Sequence, residues 1–271
     1  MLVQNPPSIP TLLIASVISF LRNTDLVIDW HNFGYSILAL KLGASHPLVT
    51  ISAWYEKLFA QFAAYHITVT YAMARVLNQE YRVAAKTLHD RPAAIFRPIT
   101  PLERSSFLSR LPETKDLAQT LQSGSTKLIV SPTSWTPDED FALLLSALES
   151  YSKKSTLTKP SLPHILAIIT GKGPQQPHYL SLISKLNAES RLSNVTIRTA
   201  WLTPEDYALL LGAADLGVSL HTSSSGVDLP MKVVDMFGAG LPVVGWGKFE
   251  AWPELFSISS FFVSMDTTEL I

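Results

Sequence analysis

The chain has 271 residues and no cysteine, and its 21 Lys and Arg residues nearly balance 22 Asp and Glu residues, for a formal charge of -1. The length suits one large domain or two modest ones. Without cysteine, disulfide scaffolds, zinc-thiolate sites, iron-sulfur clusters and cysteine nucleophiles are excluded. The balanced charge argues against nucleic acid as a partner.

The most apolar early segment, 9–21, is interrupted by Pro10 and two serines and is followed by Arg22. It is shorter than the roughly 20 apolar residues of a membrane span, so we expect no transmembrane helix. The first residues also lack the basic segment and cleavage site of a signal peptide. The mean hydropathy of +0.21 is nevertheless high. It indicates strands buried on both faces, or a surface that rests on another domain or a membrane.

Short apolar runs alternate with longer amphipathic ones, which predicts βαβ units with parallel sheets. In the first part we predict strands over 25–29 and 66–70, and helices over 12–21, 35–42, 54–65 and 72–81. The pattern weakens between 97 and 125, a stretch with three prolines and Gly124, which we interpret as a linker. The predicted domains are therefore 1–98 and 99–271.

The second part returns to the same alternation. We predict strands over 127–131, 164–170, 195–198, 216–220 and 242–244, helices over 138–151, 179–190, 204–213 and 229–237, and a surface loop over 152–163. The first part supplies two convincing strands against five or six here. The first domain is thus predicted to be an incomplete Rossmann-like domain, or one that has lost its beginning.

Ligands of parallel sheets bind where strands end and helices begin. One such place is a loop of small residues, Thr222, Ser223, Ser224, Ser225 and Gly226. Its backbone could approach a diphosphate, and the next helix offers free N–H groups to an anion. On that helix Asp228, Lys232 and Asp235 at i, i+4 and i+7 would share one face, with the lysine near phosphates and Asp235 near a ribose. The alternative is a helix cap followed by a solvated, salt-bridged face. We favour the ligand site because the rest of this helix is apolar.

A second candidate is the turn Gly171, Lys172 and Gly173, which follows an apolar strand. Glycines permit a tight turn against a phosphate, and the lysine could supply charge. The same three residues also suit an ordinary strand-to-helix turn. The turn has neither Walker nor GxGxxG spacing, which argues against ATPase and NAD-dependent functions.

A third candidate is Asp29 and His31, which follow a strand of the first part and could act as a general base. Trp30 and Phe33 beside them could offer a flat surface to a sugar ring. The alternative is a structural histidine bonded to backbone. Glu56 is a weaker acid-base candidate, since most helical glutamates are solvated.

Acidic residues also cluster beside Trp135, at Asp138, Glu139 and Asp140. The first interpretation is a turn followed by a helix whose N-terminal end carries these acidic charges. The alternative is a loop at a cleft between domains. No Asp-x-Asp motif or spaced ligand set is present, so we expect transfer chemistry without a metal.

Five stretches together resemble one family, the chitobiosyldiphosphodolichol β-1,4-mannosyltransferases. They are QNPPSIPTL (4–12), DLVIDWHNFGYSIL (25–38), SPTSWTPDEDF (131–141), ITGKGP (169–174) and LHTSSSGVDLPMKVVDMFGAGLPVV (220–244). The resemblance implies an α/β GT-B fold of two Rossmann-like domains with parallel sheets. It further implies transfer of mannose, with inversion, from GDP-mannose to dolichol-diphosphate-linked chitobiose, at the cytosolic face of the endoplasmic reticulum membrane, early in N-glycan precursor assembly.

By this resemblance the loop 222–226 with Lys232 and Lys172 would hold the GDP diphosphate, and Asp235 the ribose. Asp235 stands where related GT-B enzymes carry the second Glu of a Glu-x7-Glu pair. Val227, eight residues earlier, cannot replace the first Glu, and Asp228 is one residue closer, so the group that contacts mannose is left open. Asp29 and His31 would deprotonate the acceptor hydroxyl. The membrane surface and other early glycosyltransferases of the pathway would be partners.

The resemblance leaves two alternatives. Family members have a membrane anchor and a first βαβ unit ahead of the matched part and a helix after it, which leads us to expect a truncated chain. One alternative is a soluble retaining GT-B hexosyltransferase with another nucleotide sugar. The other is an inactive or fragmentary GT-B member that serves as a nucleotide-binding or interaction subunit.

Overall fold

A computed structural model describes residues 1–136, 139–157, 162–257 and 262–265. The chain divides into two compact units, one made of Met1–Asp90, Thr222–Pro230 and Lys248–Ile258, the other of Arg91–His221, Met231–Gly247 and Ser259–Ile271. Each unit has one sheet in which every described strand pair is parallel, as the sequence predicted. This division differs from the predicted single boundary at residue 98, because the first unit also includes two later segments of the chain.

The first unit has a sheet of four described strands in the order β1-β2-β3-β4. Its elements are β1 (Leu2–Asn5), α1 (Thr11–Leu21), β2 (Val27–Trp30), α2 (Gly34–Leu42), α3 (Pro47–Ala60), β3 (Tyr65–Thr68), α4 (Tyr71–Val76), a π-helical turn (Leu77–Tyr81) and β4 (Lys86–Thr87). The predicted count of two strands is wrong. β1 and β4 have four and two residues, and their mixed polarity gives no strand pattern.

The core of this unit is built around aromatic rings. Trp30, Phe33 and Tyr81 are buried, with ring centroids 5.4 to 5.8 Å apart. Trp30 and Phe33 therefore pack the core and offer no surface to a sugar. Glu56 is also buried, where it accepts hydrogen bonds from Ser8, from the Gly34 N–H at 2.6 Å and from the Tyr81 hydroxyl at 3.2 Å. Burial raises the pKa of this carboxyl, and the expectation of a solvated glutamate is wrong.

The second unit has six described strands in the order β10-β9-β8-β5-β6-β7. The strands are β5 (Thr126–Pro132), β6 (His164–Thr170), β7 (Val195–Ala200), β8 (Leu216–Ser219), β9 (Val243–Trp246) and β10 (Phe262–Met265). The helices are α5 (Pro101–Arg110), α6 (Ala118–Ser123), α7 (Phe141–Leu157), α8 (Gln176–Ala188), α9 (Pro204–Ala213) and α10 (Met231–Gly238). In β6 every residue after His164 is buried, as expected of a strand covered by helices on both faces.

The predicted linker over 97–125 is wrong, because this stretch holds α5 and α6. Thr100 and Glu103 form a capping box at the start of α5, with Pro101 in its first turn. The helix packs on α9, where Arg104 donates to the Ala213 carbonyl at 2.8 Å. The prolines that indicated a linker therefore mark a helix start.

Two predicted helix bounds also differ from the structure. The helix α3 begins at Pro47, after His46 as N-cap, where 54 was predicted. The helix α7 begins at Phe141, and the predicted start at Asp138 lies outside the described residues. Among the described residues, no helix is both long and apolar enough to cross a membrane.

Candidate functional site

The second unit contains a pocket of about 620 Å³ where β5, β6 and β7 end. Apolar and aromatic side chains share its lining with one lysine and one carboxylate; the lining residues are Phe96, Pro132, Thr133, Thr170, Gly171, Trp201, Leu202, Pro204, Tyr207, Lys232 and Asp235. A concave, mostly apolar wall with a few polar groups is typical of a small-molecule site. Its place beyond the carboxyl ends of parallel strands is the usual one for such ligands.

Asp235 brings a carboxylate to this pocket from α10. Burial raises the pKa of this carboxyl from 3.8 to about 6. No side-chain hydrogen bond or ion pair of Asp235 occurs within the described residues. A carboxylate whose oxygens remain available can accept two hydrogen bonds from neighbouring hydroxyls of a ligand.

Lys232 lies one turn before Asp235 on α10, so that both share one face of the helix. Its ammonium group donates to Glu139 and, at 3.2 Å, to the Ser134 hydroxyl. Glu139 is almost completely buried and also accepts from the Thr133 hydroxyl at 2.6 Å and the Ser134 N–H at 2.5 Å. The lysine at the pocket is therefore held by a buried carboxylate, which sequence analysis treated as a charge at a helix start.

The turn Gly171 to Gly173 needs its glycines for packing. Gly171 has φ of +113°, and a Cβ there would lie 1.9 Å from the Thr133 carbonyl oxygen. A Cβ on Gly173 would lie 1.7 Å from the Ser134 carbonyl oxygen. Between them the Lys172 ammonium lies 4.6 Å from the centre of the Trp201 ring, a cation-π contact beside the pocket.

The hydroxyl-rich loop lies in the first unit, as part of the segment Thr222–Pro230. Ser223 and Ser225 donate to the Asp228 carboxylate, the latter at 3.1 Å. The Ser224 hydroxyl lies 3.2 Å from Asn32 Nδ2 and from the Ser36 hydroxyl. The three serine hydroxyls thus bond within this unit, and Gly226, with φ of +76°, completes the turn.

This corrects one geometric prediction. The helix α10 begins at Met231, so Asp228 precedes it and does not share its face with Lys232 and Asp235. Asp228 instead caps the bend by accepting two serine hydroxyls. The structure therefore places Asp228 and the loop 222–226 in one unit, and the turn 171–173, Lys232 and Asp235 in the other.

Asp29 and His31 do come together, and a third residue joins them. His31 Nε2 lies 3.0 Å from Asp29 Oδ2, and His31 Nδ1 lies 3.2 Å from Asp90 Oδ2. The hydrogen bond with Asp90, supported by Asp29 and opposed by burial, raises the pKa of His31 to about 9. His31 is therefore already protonated at neutral pH. A protonated imidazole cannot accept a further proton, so His31 is ruled out as the base and Asp29 stays the candidate.

Comparison with known proteins bears on these geometries. No protein-family model matches the chain. A curated chitobiosyldiphosphodolichol beta-mannosyltransferase of Arthroderma benhamiae is 59% identical over 260 residues, which cover 94% of this chain and 58% of that protein. The chain is a homologue of these mannosyltransferases. The enzyme of the same name from Debaryomyces hansenii is 50% identical over 90% of the chain and 52% of its own length. The chain thus spans somewhat more than half the length of the curated relatives it matches.

Other similarities extend to a differently named relative and to solved structures. An Arabidopsis thaliana protein named UDP-glycosyltransferase TURAN is 45% identical over 89% of the chain and 60% of its own length. Anabaena HepE, solved in complex with UDP-glucose, aligns with a TM-score of 0.64 and 17% identity, over 99% of this chain and 66% of that one. The fold of this mannosyltransferase homologue is GT-B, as its sequence predicted.

Sequence reasoning missed Glu139 and Asp90. Glu139 stands among acidic neighbours after Trp135, and no pattern there shows that its side chain is buried. Asp90 follows β4, a two-residue strand with no periodicity to mark the end of a sheet. Within the described residues of this homologue, no group of three or more His, Cys, Asp or Glu residues could hold a metal ion. The expectation of metal-independent chemistry stays a prediction.

Proposed function

We propose that the chain provides donor and acceptor chemistry for transferring mannose from GDP-mannose to dolichol-diphosphate-linked chitobiose with inversion, in early N-glycan precursor assembly. One observation carries the proposal. In a homologue 59% identical to a curated enzyme of that name, the pocket of the second unit places the lysine Lys232 and the available carboxylate Asp235 on one helix face. These are the groups that a nucleoside diphosphate needs.

For the donor, we assign residues in and beside the pocket to the parts of GDP. Trp201 and Tyr207 offer ring surface to the base. Asp235 would accept hydrogen bonds from two ribose hydroxyls. Lys232 and Lys172 would carry the positive charge for the diphosphate. The donor would then compete with Glu139 for Lys232.

The proposed reaction is a single displacement. The acceptor 4-hydroxyl attacks C1 of mannose, the C1–oxygen bond to the diphosphate breaks, and GDP leaves with the bonding electrons. The hydroxyl proton passes to a carboxylate of the first unit, and Asp29 is the candidate. Positive groups near the leaving diphosphate stabilise its developing charge, so this chemistry needs no metal.

A lipid-linked acceptor requires contact with a membrane, and the first unit offers a suitable surface. Exposed apolar side chains are concentrated on α1 and α3; they are Leu13, Ile14, Val17, Ile18, Phe20, Leu21, Leu48, Ile51, Trp54 and Leu58. The helix α1 has no charged residue, and the one acidic residue of α3, Glu56, is buried. Such a surface suits the cytosolic face of the endoplasmic reticulum membrane, where other early glycosyltransferases would be neighbours.

The test is transfer from GDP-mannose to phytanyl-diphosphate-linked chitobiose, with the anomer of the product assigned by NMR. We expect a β-linked product, and at least tenfold lower rates for Asp235→Ala, Lys232→Ala and His31→Ala. Asp25→Ala and Lys185→Ala, which alter other acidic and basic residues, serve as controls. Equal rates for all variants and the parent would overturn the site assignment.

Nucleotide binding separates the alternatives, and calorimetry with GDP and UDP measures it. Tighter binding of GDP than of UDP supports the proposed donor. Tighter binding of UDP would favour another nucleotide sugar, a possibility to which the name of the Arabidopsis relative draws attention. Binding of GDP without any transfer would favour the interaction subunit.

A further inference from the structure

Asp90 enters the first unit's site from a different strand than Asp29 and His31. Asp29 lies in β2, His31 follows β2, and Asp90 follows β4, while β3 runs between these two strands. Since the strands are parallel, both ends lie at the same edge of the sheet. The imidazole ring of His31 bridges the gap, with one carboxylate on each nitrogen.

The two residues that precede Asp90 are bonded to the end of β3. The Leu88 N–H donates to the Thr68 carbonyl at 2.8 Å, which continues the pairing of β4 with β3. His89 Nδ1 lies 2.8 Å from the Val69 carbonyl, and its ring packs edge-on against Tyr71 at 5.1 Å. These contacts place Asp90 beside the end of β3, next to the end of β2 that carries His31.

The geometry determines the protonation of the ring. An ionised carboxylate only accepts hydrogen bonds, so a ring nitrogen beside it must donate. Both nitrogens of His31 face carboxylate oxygens, at 3.0 and 3.2 Å, and both must carry hydrogen. The three groups then form a carboxylate–imidazolium–carboxylate chain with a net charge of -1. Asp29 and Asp90 are the described titratable groups that act on the ring.

We propose that Asp90 is a positioning residue of the acceptor site, which acts through His31 to hold Asp29 as the base. This inference rests on the proposed function. His31 uses Nε2 to bind one oxygen of Asp29, while no described residue donates to the other. Each of the three side chains is about a quarter exposed, at 26 to 27%, so an acceptor hydroxyl can reach them.

Two observations assign the base to Asp29. Asp29 stands within a strand, paired with Gln4 on one side and Ile67 on the other, so its backbone is held on both sides. Asp90 lies three residues beyond its strand. Precise placement of a reacting group favours the more rigid element. Asp90 supplies the second charge that keeps the ring protonated and oriented.

The experiment compares Asp90→Asn and Asp29→Asn with Asp25→Asn, a matched acidic change in the same unit. His31 is titrated by NMR, with its signal assigned by its loss in His31→Gln. In the parent we expect titration near pH 9, and in Asp90→Asn at least one pH unit lower. The asparagine oxygen still accepts from Nδ1, so packing is preserved. Titration of the parent below pH 7.5 would overturn the proposal.

Transfer rates give the second readout. We expect kcat to fall at least 100-fold in Asp29→Asn and about tenfold in Asp90→Asn, with KM for the donor unchanged. In this proposal activity requires the imidazolium form of His31, so the transfer rate should fall at high pH as the ring loses its proton. In Asp90→Asn this fall should occur at least one pH unit lower. Asp90→Glu should restore part of kcat. A larger kcat loss in Asp90→Asn than in Asp29→Asn, or an unmoved pH profile, would refute the assignment.

The two readouts separate this inference from the function on which it rests. If no chain transfers mannose while His31 still titrates near pH 9 and responds to Asp90→Asn, the ion chain stands and the proposed function fails. If transfer occurs and Asp90→Asn behaves like Asp25→Asn in both readouts, the function stands and the role of Asp90 fails.

Discussion

Asp235 has a pKa raised by burial as well as a proposed role in binding the donor. Its folded pKa of about 6 exceeds the value of 3.8 for a free side chain, because burial disfavours the charge. Between these two pH values the folded state binds more protons than the unfolded state, so this residue makes folding more favourable as pH falls. At pH 7 its charge costs stability, and the cost disappears below about pH 4.

Asp235→Asn should therefore separate stability from binding. At pH 7 we expect a free energy of unfolding higher by about 1 kcal/mol, and no gain below pH 4. We expect affinity for GDP to fall about 10- to 100-fold, because hydrogen bonds to a charged group contribute about 1.5 to 3 kcal/mol. Urea denaturation at both pH values and calorimetry measure the two effects. Lower stability at pH 7 with unchanged GDP affinity would contradict both roles.

Glu139 and Lys232 form an ion pair with unequal partners. The Glu139 side chain is 4% exposed and that of Lys232 is 32% exposed. Removing the lysine leaves a buried charge without its cation, whereas removing the carboxylate leaves a cation near water. We expect Lys232→Met to lower the free energy of unfolding by about 2 to 4 kcal/mol, and Glu139→Gln by about 1 to 2 kcal/mol.

The surface pair of Glu149 and Arg191 supplies the control in the same unit. Glu149→Gln should cost less than about 1 kcal/mol, since exposed ion pairs contribute little. Chemical denaturation compares the three variants. If Glu139→Gln proved costlier than Lys232→Met, the charge asymmetry described for this pair would be incorrect.

At the scale of elements, the turn 171–173 packs against the end of β5 through its two glycines. A Cβ at Gly171 or Gly173 would lie within 2 Å of a backbone oxygen, which a side-chain rotation cannot relieve. We expect Gly173→Ala to lower the free energy of unfolding by at least about 3 kcal/mol. Gly171→Ala should cost at least as much, because its φ is also positive.

Gly124 provides the matched control for this turn. It has φ of +79°, and its nearest neighbour is the end of the flexible Lys127 side chain at 3.8 Å. Gly124→Ala should therefore cost about 1 to 2 kcal/mol, the price of a left-handed residue alone. Denaturant midpoints compare the three variants. Equal costs for Gly173→Ala and Gly124→Ala would show that the turn and β5 do not pack this closely.

The elements show what sequence patterns can and cannot reveal. Long buried strands such as β6 and well-capped helices such as α9 were predicted within a few residues, because their apolar pattern and caps are local. The strands β1 and β4 were missed, since they are defined by pairing with neighbouring strands rather than by a pattern in their own residues. The prolines at α5 were misread because Pro suits both linkers and first helical turns.

In the candidate site, too, contacts between residues close along the chain were predicted and contacts across the fold were missed. The sequence brought Asp29 with His31, and Lys232 with Asp235, because each pair is close along one element. Asp90 and Glu139 reach their partners across the fold, 59 and 93 residues away, and a single sequence gives no measure of such contacts. The prediction that Asp228 shares a helix face with Lys232 and Asp235 was wrong because α10 starts three residues after Asp228. Helix ends are set by caps and tertiary contacts.

At the scale of the whole molecule, the exposed apolar residues of the first unit contribute to the high mean hydropathy, together with buried strands such as β6. Phe20 and Leu21 at the end of α1 are 85% and 74% exposed. Each buries apolar area on entering a membrane interface, at about 25 cal/mol per Å². Arg22 follows them, and its positive charge would add attraction to anionic lipids.

The double variant Phe20→Ser with Leu21→Ser should therefore bind vesicles of anionic phospholipid at least tenfold more weakly than the parent chain. Leu102 and Leu157 in the second unit are 80% and 78% exposed, and their double serine variant is the matched control. We expect the control to bind as the parent does, because those leucines lie outside the apolar surface of α1 and α3. Vesicle co-sedimentation measures the binding of both double variants. An equal loss of vesicle binding in the two would contradict a specific role for the apolar surface of α1 and α3.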